Sequence, residues 1–116
     1  MADLLVDTDI FVDHLRRAVE LLPGRHRLHY SVITRAELFA GSSGSQLAAR
    51  LLAPSREIPV DRAIAERAGR IRRVGGPPLL PDALIAATAL EHALDLVTRN
   101  REHFTAARGL RLRKLT

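Results

Sequence analysis

Three acidic residues, far apart in the chain, stand where a predicted strand meets a predicted helix. Asp7 follows the apolar run Leu4–Val6, Glu37 comes one helical turn after a second strand, and Asp82 opens an apolar helix. A carboxylate that closes a buried strand is costly unless something pairs with it, and Asp9 adds a second negative charge nearby. A divalent cation such as Mg²⁺, which takes oxygen ligands, is the natural partner. A cation held in this way activates water for hydrolysis.

Two of these acids also have a purely structural interpretation. Thr34 and Glu37 have the spacing of a capping box, in which both side chains satisfy the first turn of a helix. Asp82 comes directly after Pro81, so it is a candidate N-cap of the helix that follows. Asp7 has no comparable structural explanation, and the sequence leaves both interpretations open for the other two.

The predicted elements alternate between strand and helix along the whole chain. Short apolar runs predict strands, and apolar residues at helical spacing predict helices. This order predicts an α/β fold: a three-layer α/β/α sandwich around a mostly parallel sheet. The acids then fall at the carboxyl ends of the strands, where such folds place their sites. The predicted strands lie near residues 4–6, 29–33, 57–60, 96–98 and 110–113, and the predicted helices near 11–22, 34–41, 46–53, 61–71 and 83–94.

The chain has 116 residues, which predicts one domain spanning 1–116. Without cysteine it has no disulfide framework and no zinc–thiolate site, and it has no apolar run long enough for a membrane span. Its acidic N-terminus does not resemble a signal peptide, so we expect a cytoplasmic protein. The net charge of +5 is compatible with a polyanionic partner, although arginine-rich surfaces are often merely solvated. The 3% of aromatic residues disfavours a base-stacking module.

Five segments, in order, resemble the PIN-domain ribonucleases, and in particular the VapC toxins of bacterial toxin–antitoxin pairs. The resemblance covers almost the whole chain. Each motif alone is moderately specific, but the five together, in the family's order and at nearly its spacing, are strong evidence. They are the segments Leu4 to Ile10, Ser31 to Gly41, Pro59 to Gly69, Leu80 to Leu90 and Leu96 to Phe104.

The resemblance implies a five-stranded parallel sheet and a Mg²⁺- or Mn²⁺-dependent endoribonuclease. Asp7, Glu37 and Asp82 match the family's three acids and would be both catalytic and metal-binding. The family's fourth acidic position falls at Asn100, which is counted with the catalytic residues although it is not acidic. His103 stands where related sequences often carry aspartate.

The resemblance also implies an RNA substrate, with a tRNA or rRNA loop as the expected target, a VapB-type antitoxin and a homodimer. Five residues within or beside the motifs are candidates for contact with the substrate. These are Thr8, Arg35, Thr98, Arg99 and Arg101.

Other functions compete with this one. Asp7-Thr8-Asp9 also resembles the opening motif of haloacid-dehalogenase-type phosphatases, but their chemistry needs a downstream lysine, and the sole lysine here is Lys114. A phosphoacceptor receiver domain has a similar length and also needs a lysine. A non-catalytic PIN-like domain that binds RNA or protein is the third alternative, although its acids would be expected to have decayed.

Overall fold

The computed structural model describes residues 2–17, 24, 26–41 and 44–114. Five parallel strands form one sheet in the described part of the chain: β1 Asp3–Val6, β2 Arg27–Ser31, β3 Arg56–Ile58, β4 Asp95–Val97 and β5 Leu112–Arg113. They lie in the order β3-β2-β1-β4-β5.

Within the residues that the structure describes, five α-helices and one short 3-10 helix connect the strands. The helices are α1 Thr8–Arg17, α2 Val32–Ala40, α3 Ser45–Leu52, α4 Arg62–Arg72 and α5 Leu80–Glu91, and the 3-10 helix is Arg101–Phe104. The predicted continuation of the first helix through Ala18 and Leu22 lies outside the described residues.

Alternate residues of β1 face two separate hydrophobic cores. Leu4 and Val6 pack with residues of α1, α2 and α3, including Phe11. Leu5 packs on the other face with residues of α4 and α5, including Ile64. A strand buried on both faces must be apolar throughout, which is why Leu4–Val6 is a continuous apolar run. The predicted three-layer α/β/α sandwich with a parallel sheet is confirmed.

The sheet order places a topological switch point beside β1. From β1 the chain first builds outward through β2 and β3, and then returns to pair β4 with the other side of β1. The connections on the two sides therefore diverge at the carboxyl ends of β1 and β4, and leave a crevice there.

The boundary between β2 and α2 differs from the prediction. The strand ends at Ser31, and the helix begins at Val32 rather than at Thr34. The Ser31 side chain caps the helix by accepting a hydrogen bond from the Ile33 amide. The β-branched pair Val32-Ile33 favours a strand by propensity, but the serine cap outweighs it. Thr34 therefore does not cap α2, and the capping-box interpretation is wrong.

The start of α5 also differs. Its N-cap is Leu79, with no side-chain cap, and Asp82 lies inside the first turn. Proline is favoured in the first turn because its missing N–H is not needed there, so Pro81 sits within the helix instead of before it. The N-cap interpretation of Asp82 is therefore wrong. The helix also ends at Glu91 rather than near Leu94, since Ala93 adopts a left-handed backbone (φ 54°).

Helix α1 begins at Thr8, three residues before its predicted start. The remaining boundaries lie within one or two residues of the predictions, and Asp61 caps α4 as predicted, by accepting from the Ile64 amide. Among the described residues, no helix has the length and apolar character needed to cross a membrane.

Candidate active site

Asp7 lies at the carboxyl end of β1, and its backbone is held across the switch point. Its amide donates to the Val97 carbonyl at 2.9 Å, which continues the pairing with β4. The side chain is buried, with only 3% exposed. One carboxylate oxygen accepts from the Thr8 amide and the other from the Thr98 hydroxyl, both at 2.8 Å. These two bonds fix the carboxylate at the floor of the crevice.

Burial and neighbouring negative charges raise the pKa of Asp7 from 3.8 to about 7. Desolvation is the largest cause, and the carboxylates of Asp9 and Asp82 add repulsion. The hydrogen bonds from Thr98 and Thr8 act in the opposite direction but do not compensate. Asp7 is thus a buried carboxylate with too little positive charge around it.

Asp9 shares the hydroxyl of Thr98. One oxygen of Asp9 accepts from the Arg99 amide at 2.9 Å and lies 3.3 Å from the Thr98 hydroxyl. Its other oxygen, Oδ1, is buried and has no hydrogen-bond partner among the described residues. A buried carboxylate oxygen without a donor is costly, and a cation or an ordered water would satisfy it.

Glu37 reaches the site from α2 and is anchored by a hydroxyl. The Thr8 hydroxyl donates to Glu37 Oε1 at 2.7 Å and lies 2.9 Å from the hydroxyl of Thr34. Partial burial raises the pKa of Glu37, the bond from Thr8 opposes the shift, and the charge of Asp82 adds to it. The Thr34–Glu37 spacing therefore places both residues on one face of α2, with Thr8 between them.

Asp82 projects from the first turn of α5, where an acidic side chain is favoured by the helix dipole. Partial burial raises its pKa, the nearby His103 opposes the shift, and the charge of Asp9 adds to it. His103 Nδ1 lies 3.9 Å from the Asp82 carboxylate. His103 therefore lies beside the site.

These side chains line an open cleft of about 450 Å³ at the carboxyl ends of β1 and β4. Of the candidate residues, the structure brings together Asp7, Thr8, Glu37, Asp82, Arg99 and Asn100 in its lining. Thr98 is tied to the floor by its bonds to Asp7 and Asp9.

The three candidate arginines have different surroundings. Arg99, which is 60% exposed, pairs with Asp13 at 3.0 Å on the rim of the cleft. Arg35 pairs instead with Glu57, donates to the Tyr30 hydroxyl and is outside the cleft lining. Arg101 is exposed at the start of the 3-10 helix and is also outside the lining.

Sequence reasoning did not place four lining residues of α1 in the site. They lie at helical spacing from one another, which brings Asp9, Asp13 and Arg16 to one side of the helix. The signal was present in the sequence, because Asp9 comes two residues after the acid at the strand end and has polar residues at i+4 and i+7 on the same helical face. The four residues are Asp9, Val12, Asp13 and Arg16.

Whether the cleft fits a metal ion depends on its oxygen donors. Among the described residues, no group of three or more His, Asp or Glu side chains is arranged to hold an ion by itself. Mg²⁺ usually keeps several waters and binds through one or two carboxylates, so a complete protein cage is not required. The partnerless oxygen of Asp9 and the raised pKa of Asp7 both indicate missing positive charge. The donor set therefore fits a hydrated divalent cation.

A larger cavity, of about 610 Å³, lies at the opposite, amino-terminal edge of the sheet. Its acids are already paired: Asp3 with Arg27, and Asp95 with Arg111. Because these charges neutralise each other at the surface, the smaller cleft is the better candidate for chemistry.

Comparison with known proteins agrees with the fold. The family model described as "PIN domain" matches residues 4–110. The chain is 40% identical, over 113 residues, to ribonuclease VapC10 of Mycobacterium tuberculosis. The alignment covers 87% of this chain and 85% of the relative.

Two solved structures are also similar along nearly their whole length. A toxin–antitoxin complex from Klebsiella pneumoniae is 32% identical with a TM-score of 0.71, covering 92% of this chain and 94% of the other. The DNA-bound VapBC of Salmonella typhimurium is 26% identical with a TM-score of 0.76, covering 100% of both. The chain matches the family model over most of its length and has the same backbone fold as these structures, so it belongs to the PIN-domain family.

Proposed function

We propose that this chain, as a single domain spanning residues 1–116, is a Mg²⁺- or Mn²⁺-dependent endoribonuclease of the VapC type. In this proposal it is the toxin of a type II toxin–antitoxin pair. The observation that carries the proposal is the convergence of Asp7, Asp9, Glu37 and Asp82 in one cleft at the switch point of the sheet. The similarity to ribonuclease VapC10 supports the substrate class.

In this proposal Asp7 and Asp82 hold the metal ion, and Glu37 reaches it directly or through water. The ion supplies Lewis-acid chemistry: it activates a water and neutralises charge on a phosphodiester. The protein supplies the positions of the carboxylates. Thr98 and the Thr8 amide orient Asp7, and the first turn of α5 projects Asp82.

The acidic cleft repels RNA, so the proposal needs positive charge around it. Arg99 and Arg16 lie on its rim, and the net charge of the chain is +5. Asn100 lines the cleft as an uncharged donor and acceptor, suited to a water or a phosphate oxygen. Arg35 and Arg101 lie farther out, where they would contact RNA beyond the scissile bond. The expected substrate is a tRNA or rRNA loop, whose splayed phosphates reach a narrow site.

The proposal includes a VapB-type antitoxin, a homodimer and a cytoplasmic location. The similar structures named above are a toxin–antitoxin complex and a VapBC complex. For the dimer, three of the five large apolar side chains that are exposed in the described part of the chain fall within residues 74–80. They are Val74, which follows α4, and Leu79 and Leu80, which are the N-cap and the first residue of the helix that carries Asp82.

The test is cleavage of bulk RNA by the purified protein with Mn²⁺, with Mg²⁺ and with EDTA. We expect cleavage with either ion and none with EDTA. The Asp82→Asn variant removes a charge from the cleft without removing a helix cap, so cleavage should fall at least a hundredfold while the melting temperature changes little. Exposed Glu66, on α4 and outside the cleft, provides the matched control Glu66→Gln, which should cleave normally.

Two results would contradict the proposal. Full activity of Asp82→Asn would show that Asp82 is not a metal-binding or catalytic residue. Turnover of p-nitrophenyl phosphate with no cleavage of RNA would favour the phosphatase alternative instead.

A further inference from the structure

A fully buried hydroxyl lies behind one of the acids of the cleft. Thr34 has no exposed surface, and its hydroxyl oxygen lies 2.9 Å from that of Thr8. Thr8 in turn lies 2.7 Å from Glu37 Oε1. Three side chains from two elements, α1 and α2, therefore form a continuous chain that leads from the core to the cleft.

The number of hydrogens fixes the direction of this chain. Each threonine hydroxyl has one hydrogen to donate, and an ionised carboxylate can only accept. The Thr8 hydrogen is therefore committed to Glu37, and the short contact between the two hydroxyls requires the Thr34 hydrogen. Thr34 donates to Thr8, and Thr8 donates to Glu37.

We infer that Thr34 is a positioning residue, which acts through Thr8 to hold the Glu37 carboxylate in the cleft; the inference rests on the function proposed above. It also gives Thr8 a role other than direct contact with RNA. The hydroxyl of Thr8 donates its hydrogen to Glu37, so it cannot donate that hydrogen to a phosphate.

The position of Glu37 explains why such a support is needed. Its side chain is only partly buried and has several rotatable bonds, so α2 alone does not fix where its carboxylate points. Thr34 is rigid by comparison, since it is β-branched and enclosed on all sides. The chain of hydrogen bonds thus links this carboxylate to a side chain that the core holds in place. Partners of this kind behind metal-binding side chains change metal affinity or activity by roughly ten- to a hundredfold.

The experiment compares Thr34→Val with Thr34→Ser and with the control Thr88→Val. Valine has nearly the shape of threonine but no hydroxyl, and serine keeps the hydroxyl. Thr88 is equally buried, but its hydroxyl donates to the Leu84 carbonyl within α5, away from the cleft. A loss of stability common to buried threonines therefore appears in both valine variants, whereas a loss of positioning appears only in Thr34→Val.

The first measurement needs neither metal nor RNA: the ¹³C chemical shift of the Glu37 carboxyl carbon. We expect it to move in Thr34→Val and in Thr8→Val, and to stay unchanged in Thr88→Val. The second is the Mn²⁺ dissociation constant by calorimetry, which should rise roughly tenfold in Thr34→Val and recover in Thr34→Ser. In a Glu37→Ala background, Thr34→Val should have no further effect on Mn²⁺ affinity. The third is RNA cleavage, in which kcat should fall more than KM rises.

The outcomes separate this inference from the proposed function. An unchanged Glu37 shift in Thr34→Val overturns the inference whatever the activity of the protein. Equal losses of Mn²⁺ affinity in Thr34→Val and Thr88→Val, or a further loss in the Glu37→Ala background, also overturn it. Unmodified protein that neither cleaves RNA nor binds Mn²⁺ contradicts the proposed function, while the chemical shift still decides whether Thr34 positions Glu37.

Discussion

The acids of the cleft carry charge that the surrounding protein does not balance. Asp7 is buried, and the negative charges of Asp9 and Asp82 lie nearby. Among the described residues, its carboxylate accepts hydrogen bonds from two uncharged donors, the Thr8 amide and the Thr98 hydroxyl. Carboxylates packed together in this way destabilise the fold when they are ionised. Binding a cation then contributes both to the reaction and to the stability of the folded chain.

This charge predicts an unusual dependence of stability on pH in the metal-free protein. The folded-state pKa of Asp7, about 7, lies above its ordinary value of 3.8. Between these two values the folded chain binds more protons than the unfolded chain, so the free energy of unfolding falls as pH rises from about 4 to 7. At 1.36 kcal/mol per pKa unit, Asp7 alone accounts for a loss on the order of 4 kcal/mol.

Urea unfolding in EDTA at pH 5 and pH 8, with and without Asp7→Asn, measures this effect. Asparagine keeps an acceptor for Thr8 or Thr98 and removes the charge, so the variant should be the more stable protein at pH 8. In the variant, the free energy of unfolding should still fall as pH rises, but less steeply, because the pKa values of Glu37 and Asp82 are raised as well. An identical decline in both proteins would show that Asp7 does not titrate as argued.

Asn100 supports a second prediction at this scale. It lines the cleft as a neutral amide, and its backbone donates to the Thr98 hydroxyl at 3.1 Å. A carboxylate is a stronger ligand for a hard cation than an amide. We therefore expect Asn100→Asp to tighten Mn²⁺ binding in the RNA-free protein and to be unnecessary for activity. Calorimetry that finds two comparable high-affinity sites in the unmodified chain would contradict this.

The helix starts decide which side chains reach the cleft. Because α2 begins at Val32 and α5 at Leu80, Glu37 and Asp82 lie within their helices and project from them, and neither is used as a cap. Caps are supplied elsewhere, by Ser31 for α2 and by Asp61 for α4. Glu37 and Asp82 are thereby separate from the side chains that cap these helices.

Asp61 tests that separation. Asp61→Ala removes the acceptor of the Ile64 amide and should lower the free energy of unfolding by about 1 kcal/mol. RNA cleavage below the melting temperature should be unchanged, since Asp61 is outside the cleft lining. Chemical denaturation together with a cleavage assay makes the comparison. A large loss of cleavage without a loss of stability would assign Asp61 to the site.

The same elements show which features of the fold and of the cleft can be predicted from the sequence. Apolar runs and helical spacing predict the order of elements and the convergence of Asp7, Glu37 and Asp82 at one edge of the sheet, because these depend on patterns that the fold must bury. The hydroxyl of Thr8 and the face of α1 that carries Asp9 and Asp13 depend on side-chain directions across the crevice. Arg35 shows the same limit. It lies in one of the segments that resemble the family, but its ion pair with Glu57 and its hydrogen bond to Tyr30 hold its guanidinium away from the cleft.

At the scale of the molecule, the proposed toxin must be silenced by a partner. Induced expression of the intact chain should slow bacterial growth, and co-expression with the antitoxin encoded beside it should restore growth. Asp82→Asn, produced at the same level, should leave growth unaffected because the expected toxicity depends on the acidic cleft. Growth curves decide this. Undisturbed growth with abundant folded protein would count against the toxin proposal and leave the nuclease proposal standing.

The proposed homodimer is a separate prediction. Val74 and Leu79 are 75% and 68% exposed, which is a high exposure for large apolar side chains. We expect a dimer at micromolar concentration in sedimentation velocity, and a shift toward monomer in Leu79→Asp. Sedimentation as a monomer alone would contradict the dimer.

The hydrogen bond between Thr98 and Asp7 joins residues 91 positions apart. Asp82, Thr98 and Asn100 all belong to the last part of the cleft to leave the ribosome. A nascent chain that has not yet released them has Asp7 and Glu37 but no completed cleft. In the proposed toxin, a chain terminated before residue 98 would lack the hydroxyl that fixes Asp7 and could not complete the cleft, so we expect unfinished copies to be inactive.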